Sequence, residues 1–382
     1  MIDAINLTRE LIRRPSVTPA DAGAMDIVEQ ALKGLGFSCR RMKFGEIENL
    51  YARYGTESPN LCFAGHTDVV PVGDAGAWTQ EPFDAEVVDG MLIGRGAVDM
   101  KSAIAAFAAA SAKAIAAGQV TGSLSFLITG DEEGIATHGT KMVVEALGIE
   151  DEVITHCVVG EPSSSEVFGD MIKVGRRGSI NAEITVKGVQ GHVAYPHRAA
   201  NPVPVLLRIL LRLQDRVFDQ GYPEFQPSNL EITRIDVPNT ATNVIPGTAT
   251  ARLNIRFNPH HTGAELGRWI EAEAAAEASD FQGSVTVEPQ ISGEAFLTEP
   301  GPFTDLVAAA VYDAAGRTPE LSTTGGTSDA RFIRALCPVV ELGLVGRTMH
   351  QVDERAPVAE ILQLQAVYER LIERYFQVFS GE

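Results

Sequence analysis

A dispersed set of histidines and carboxylates carries the chemistry of this chain. The segment Thr129-Gly130-Asp131-Glu132-Glu133-Gly134 follows the apolar run Leu124-Ser125-Phe126-Leu127-Ile128. That run reads as a buried strand bounded by glycine, so acids emerge together at a strand end. Their mutual repulsion there calls for a cation or a shared proton. An isolated acidic turn of this kind is most often simply solvated. The context changes that balance: His66, Asp99, Glu161 and His350 stand at other strand ends or nearby loops.

Imidazole and carboxylate oxygen suit Zn2+, Mn2+ or Co2+. His66, Asp99, Glu133, Glu161 and His350 suffice for two ions if one carboxylate bridges them, with positions left open for water. Paired ions of this sort sit roughly 3.5–4 Å apart and clamp a hydrolytic water. Glu132 neighbours a proposed ligand but should point elsewhere. It is the candidate general base, taking a proton from water and passing it to a leaving amine. Asp68 lies two residues from His66, on the same face of an extended segment, and is placed to accept the His66 ring N–H.

Other catalytic patterns are missing. The chain contains neither H-E-x-x-H nor G-x-S-x-G. The stretch from Gly134 to Lys141 imitates a phosphate loop, with its last residues in the wrong order. Gly325-Gly326-Thr327-Ser328-Asp329 is a turn able to aim backbone N–H groups at an anion. His138, His156, His197, His260 and His261 read as surface or packing residues.

The elements that must position these groups form an α/β pattern. Helical spacing covers Asp3–Arg13 and Ala22–Leu35. Strands are expected at Leu61–Gly65, Met91–Ile93, Leu124–Ile128 and Ile154–Val159, with an Ala-rich helix between the second and third. This alternation implies a sheet covered by helices. Near Gly178 the pattern changes to strand 180–186, helix 204–217, strands 229–236 and 248–257, helix 264–276 and strand 284–289. That order is βαββαβ, a ferredoxin-like unit. After Phe296 the first pattern resumes, with a helix at 302–315, a strand near 339–342 and a final helix over 358–379. The fold class is therefore a discontinuous α/β domain, residues 1–177 and 291–382, with an inserted ferredoxin-like domain, 178–290.

Composition sets outer bounds. An apolar content of 45% and a charged content of 21% belong to a globular chain with a substantial core. No basic run offsets the net charge of −19, which argues against nucleic acid and anionic membranes as partners. An anionic substrate would need local arginines or metal ions. Cys39, Cys62, Cys157 and Cys337 contain no C-x-x-C, and Cys62 and Cys157 read as core residues. Residues 1–15 lack the apolar centre of a signal peptide, and a cytoplasmic protein is expected.

Taken together, Gly65-His66-Thr67-Asp68-Val69-Val70-Pro71, Gly94-Arg95-Gly96-Ala97-Val98-Asp99-Met100-Lys101, Gly130-Asp131-Glu132-Glu133-Gly134, Gly160-Glu161-Pro162 and Met349-His350-Gln351 resemble the M20 family of co-catalytic zinc amidohydrolases. The resemblance spans essentially the whole chain. It implies two Zn2+ per subunit, with Co2+ able to substitute at one site. It makes His66, Asp99, Glu133, Glu161 and His350 the ligands, Asp99 the bridge, Asp68 the group orienting His66, and Glu132 the base. It also implies a cis peptide at Asp99–Met100 and a homodimer. His192, in the inserted domain, would then reach the partner subunit's site and stabilise the oxyanion.

Within that family, Glu161–Ser164 with Gly175–Ser179, Gly188–His197 and Gly325–Phe332 favour a member acting on a succinylated amino acid. The implied reaction is hydrolysis of N-succinyl-LL-2,6-diaminopimelate in lysine and diaminopimelate biosynthesis. Arg176, Arg256 and Arg331 match positions associated with substrate carboxylates. Tyr195, Asn243, Gly326 and Thr327 complete the implied substrate contacts. Thr324 and Ala330 stand where such members often carry glycine. The alternatives are acetylornithine deacetylation or another aminoacylase activity of the family and, from another class, a non-catalytic metal- or peptide-binding protein.

Overall fold

The computed structural model describes residues 2–379. They form two compact units. The larger runs to Val174 and resumes at Thr298–Ser322 and from Ser328 onward; the smaller comprises Gly175–Leu297 and Thr323–Thr327. The cuts lie slightly outside 178–290. Gly175–Arg176 pairs with Phe296–Leu297, which carries both junctions into the smaller unit.

The larger unit is built on an eight-stranded sheet. Its order is Ser38–Phe44, Ile47–Tyr54, Ser123–Thr129, Asn60–His66, His156–Val159, Val339–Glu341, Met171–Lys173 and Glu320–Ser322. The four strands from Ser123–Thr129 to Val339–Glu341 run parallel. Every residue of Asn60–His66 and Ser123–Thr129 is buried, as expected of strands covered on both faces. The helix Lys101–Ala116 packs against Asn60–His66, Val358–Phe379 and Ala4–Ile12. Its alanines allow that close approach, and it is buried almost all round. Phe107 stacks on Phe63 at 4.6 Å between ring centres and meets Tyr368 edge-on at 5.2 Å. Cys62 and Cys157 are buried and face each other in register. No helix among the described residues is long and apolar enough to cross a membrane.

Several elements are absent from the sequence expectation, among them the sheet strands Met171–Lys173 and Glu320–Ser322, and two others have a clear physical reason. The first is the hairpin Ser38–Phe44 with Ile47–Tyr54. Its outer strand carries Arg40, Arg41 and Lys43, charges that suit an edge and obscure the strand signal. The second is the helix Thr140–Ile149, which begins inside the apparent phosphate-loop pattern.

His156 illustrates how burial couples this unit to pH. Its ring stacks on Phe303 at 4.3 Å, and its Nδ1 lies 3.1 Å from the Tyr375 hydroxyl. Desolvation pushes its pKa down to about 4. The unfolded chain therefore takes up this proton near pH 6.5, before the folded one does. Stability from this site is complete above pH 6.5 and is lost as the pH falls towards 4. Thermal unfolding of His156→Gln should lose less stability across that window than the wild type. Parallel curves for the two proteins would refute the assignment.

The smaller unit has a four-stranded antiparallel sheet, ordered Asn229–Asp236, Thr248–Phe257, Gly178–Lys187 and Ser284–Gly293. The helices Pro202–Gln214 and Gly263–Glu277 cover one face. Thr262 and Glu265 form a reciprocal cap that starts the second helix. Chain order is βαββαβ, the ferredoxin-like arrangement. Ile180, Ala182, Ile184 and Val186 alternate inward from the central strand onto Ile209, Leu213 and Ile270 of the helices.

Candidate metal centre and substrate-side residues

Three neighbouring parallel strands deliver the central acids and one histidine of the larger unit. His66 ends Asn60–His66, Glu132 and Glu133 follow Ser123–Thr129, and Glu161 follows His156–Val159. Carboxyl ends of parallel strands are where ligands gather in open α/β sheets. Asp99 comes from the turn before the Ala-rich helix, where the Asp99–Met100 peptide is cis. His350 comes from the loop after Val339–Glu341, with φ at +63°. Met100 packs between the strand ends. A Cβ on Gly65 would stand 2.5 Å from its Cε, and one on Gly160 2.6 Å from its Cε, 2.6 Å from Phe63 Cζ and 2.8 Å from Ala103 Cβ, so Gly160 requires glycine and Gly65 leaves room for the Met100 side chain.

Asp99 lies at the centre of the group. Its Oδ1 is 3.2 Å from His66 Nε2 and its Oδ2 is 3.2 Å from His350 Nε2. Glu161 Oε1 is 3.6 Å from His66 Nε2, and Glu133 Oε1 is 2.9 Å from His350 Nε2. Each histidine thus has one terminal carboxylate and one oxygen of Asp99. Ligand atoms of His66, Asp99 and Glu133 lie within 4.8 Å of one another, as do those of His66, Glu132 and Glu161.

The electrostatics of the cluster are those of crowded, buried carboxylates. Burial, then the Asp99, Glu132 and Glu341 carboxylates, push the Glu161 pKa well up. Burial, with Asp329, Glu133 and Asp99, does the same to Glu132. Burial works against a charged His66, yet its hydrogen bond to Asp99 and the charges of Glu161, Asp99 and Asp68 prevail and raise its pKa. Hydrogen bonds to Asp99 and Glu133 raise His350 to about 10. Glu132, Glu161, His66 and His350 are thereby held towards their protonated forms, and divalent cations would displace those protons.

The residues fit such ions. Glu161 Oε1 is buried without a hydrogen-bond partner, a position that cation coordination satisfies. The nitrogen and oxygen donors match the preferences of Zn2+ and its neighbours.

Asp68 orients His66 differently from the sequence expectation. His66 Nδ1 lies 2.9 Å from the Asp68 backbone carbonyl, while the carboxylate is 3.6 Å away. That carboxylate accepts the backbone N–H groups of Glu132 at 3.3 Å and Glu133 at 3.0 Å. One residue therefore sets the His66 tautomer with its main chain and steadies the acidic turn with its side chain. Burial raises its pKa to about 6 against those hydrogen bonds and the His66 charge.

Arg331 also belongs to the larger unit. Its guanidinium lies 4.4 Å over the Phe332 ring, and its buried Nε has no hydrogen-bond partner. Asp329, Arg95 and Glu354 are buried as well, and no role was legible for them in sequence. Nothing in a single sequence distinguishes a buried charge from a solvated one.

The smaller unit holds the remaining expected residues in distinct groups. His192 is exposed on the short strand Gly191–His192, paired with Val244–Ile245. The Tyr195 ring lies 5.7 Å away, and the Asn243 carbonyl accepts the Val193 N–H at 3.1 Å. The Ala194 N–H donates to His192 Nδ1 at 3.1 Å, so a neutral His192 carries its proton on Nε2. Arg176 is buried, and its Nη1 donates to the Thr324 carbonyl at 2.9 Å. A Cβ on Gly325 would stand 2.3 Å from that nitrogen, whereas Gly326 faces open space. Thr327 is half-buried beside it. Arg256 Nη1 is buried without a hydrogen-bond partner. Burial and the neighbouring Arg177 disfavour its charge, the condition under which a carboxylate partner is complementary.

Comparison with known proteins extends this picture. The family model described as peptidase family M20/M25/M40 matches residues 62–374. A succinyl-diaminopimelate desuccinylase of Phenylobacterium zucineum (strain HLK1) is 79% identical over 375 residues, covering 98% of this chain and 99% of that protein. One of Caulobacter vibrioides is 69% identical, covering 99% and 97%. Among solved structures, an M20 metallo-carboxypeptidase of Sulfolobus solfataricus superposes with a TM-score of 0.82 at 15% identity, covering 98% and 99%. A dinuclear metal-binding M20 peptidase of Bacillus subtilis gives 0.73 at 16%, covering 98% of each chain. The matched span contains every residue of the histidine–carboxylate cluster, and the chain belongs to peptidase family M20/M25/M40.

Proposed function

We propose that the protein hydrolyses N-succinyl-LL-2,6-diaminopimelate to succinate and LL-2,6-diaminopimelate, within lysine and diaminopimelate biosynthesis. One observation carries the reaction class: Asp99 offers one oxygen to each of two histidines, each with its own terminal carboxylate. The substrate rests on relatives of that name, 54–79% identical along nearly the whole chain.

His66, Asp99 and Glu161 would hold one Zn2+, and His350, Asp99 and Glu133 the other, with Co2+ able to replace one. Ions bound there supply Lewis acidity, polarising the amide carbonyl and lowering the pKa of the attacking water. Glu132 removes one proton from that water, and the resulting hydroxide oxygen bonds to the succinyl carbonyl carbon. Glu132 then delivers the proton to the amine nitrogen as the C–N bond breaks, which balances water against the two products. His192 of a second subunit, protonated on Nε2, donates to the oxyanion. Arg176, Arg256 and Arg331 engage substrate carboxylates, which long-range attraction does not draw to a chain of net charge −19.

The proposed homodimer would use an apolar surface of the smaller unit. On Pro202–Gln214, Leu207 and Leu211 are exposed one turn apart. That helix contacts the edge strand Asn229–Asp236, where Ile235 is exposed. Light scattering should give twice the chain mass, and Leu211→Glu should give monomers with little turnover. A fully active wild-type monomer would refute both the dimer and the role of His192.

The deciding experiment compares succinyl-diaminopimelate with acetylornithine in the presence of Zn2+. Acetylornithine lacks the acyl carboxylate that the arginines would recognise, so kcat/KM should favour the first substrate by about 10³-fold or more. Equal rates, or a preference for acetylornithine, would move the protein to the alternative activity.

A further inference from the structure

Arg95 and Glu354 are both buried, and they pair at 2.7 Å between Nη1 and Oε2. A buried ion pair is a poor way to gain stability, because desolvation offsets most of its attraction. What distinguishes this pair is where its remaining bonds go. Glu354 Oε1 accepts the backbone N–H groups of Val98 at 2.8 Å and Asp99 at 3.2 Å. The Glu354 carbonyl accepts the Gly94 N–H at 2.9 Å. Arg95 Nη1 donates to the Gln351 carbonyl at 3.2 Å, beside His350, and Nη2 to the Pro71 carbonyl at 3.1 Å, on the segment that follows His66. The guanidinium also lies 5.4 Å over the Trp78 ring.

Three segments that carry the cluster therefore meet on one pair of side chains. His350 sits in a left-handed backbone conformation on a loop, and its side chain is 45% exposed. Asp99 has to present one oxygen to each histidine, which demands a fixed spacing between its turn and the His350 loop. The Arg95–Glu354 pair spans that gap by binding the main chain of both.

We propose that Arg95 and Glu354 are positioning residues, which set the Asp99–His350 spacing and thereby the affinity for the ion on the His350 side. The proposal rests on the two-ion reading above. Its test is metal binding, measured by competition with a chromophoric chelator and by metal analysis, with turnover as a second readout. Glu354→Gln keeps the shape but loses the ion pair. Arg95→Lys keeps the charge but cannot reach both carbonyls.

Each variant should bind one ion as the wild type does and the other about 10–100-fold more weakly. At limiting metal, kcat should fall in proportion with KM unchanged, and excess Zn2+ should restore it. Wild-type affinity for both ions in the two variants would overturn the proposal. So would global loss of structure in both, by near-ultraviolet circular dichroism, because the pair would then be purely structural. A wild-type chain that binds fewer than two ions would instead fail the two-ion reading itself.

Discussion

Glu132→Gln should retain its metal ions and lose turnover by about 10²–10⁴-fold, equivalent to about 3–5 kcal/mol of barrier. Glutamine preserves the length and polarity of the side chain and the backbone N–H bonds that Asp68 accepts from Glu132 and Glu133. It removes only the ability to take up and return a proton. Both halves of the proposed reaction use that ability, so kcat should fall while KM changes little. The geometry makes metal analysis an essential companion. Glu132 groups with His66 and Glu161 closely enough to ligate an ion. If the variant loses an ion along with activity, Glu132 is a ligand rather than a base. If it keeps turnover within a few-fold, proton transfer belongs to another group.

Asp99→Asn should have the second large effect, of a different kind. In the wild type each Asp99 oxygen lies 3.2 Å from a histidine nitrogen. Burial works against this carboxylate, but the hydrogen bonds from His350 and His66 prevail and hold its pKa below the ordinary aspartate range. Asparagine carries no charge and turns an NH2 towards one side, so it cannot serve both ions. Bound metal should fall below one ion per chain, and turnover by at least the ~10²–10³-fold that follows loss of a single preorganised stabilising group. Wild-type protein stripped by a chelator should recover on adding Zn2+, while Asp99→Asn should not. A variant retaining two ions would show that Asp99 does not bridge.

Much of the architecture was legible because both periodicities were strong. The helix Val358–Phe379 and the strands Asn229–Asp236 and Thr248–Phe257 match the sequence reading. The hairpin Ser38–Tyr54 was not legible, since charges at Arg40, Arg41 and Lys43 break the apolar signal of an edge strand. The apparent phosphate loop at Gly134–Lys141 proved to contain the start of a helix, because a glycine spacing does not specify the conformation between the glycines.

The sequence by itself determined which residues could do this chemistry. Side-chain type decides what binds a cation or moves a proton, and strand-end context can be read from apolar runs. Tertiary structure alone decided how those residues are held. Asp68 was legible as a partner of His66, but only the fold assigned its carbonyl to the imidazole and its carboxylate to the acidic turn. Arg95 and Glu354 are separated by most of the chain, and nothing local marks either as buried or paired. Their contact arises from the sheet order and the return of the C-terminal segment beside Met91–Ile93. Glu132 and Glu133 differ for the same reason. Adjacent and alike in sequence, they have different neighbours: Glu133 Oε1 lies 2.9 Å from His350 Nε2, whereas Glu132 groups with His66 and Glu161, distances that exist only after folding.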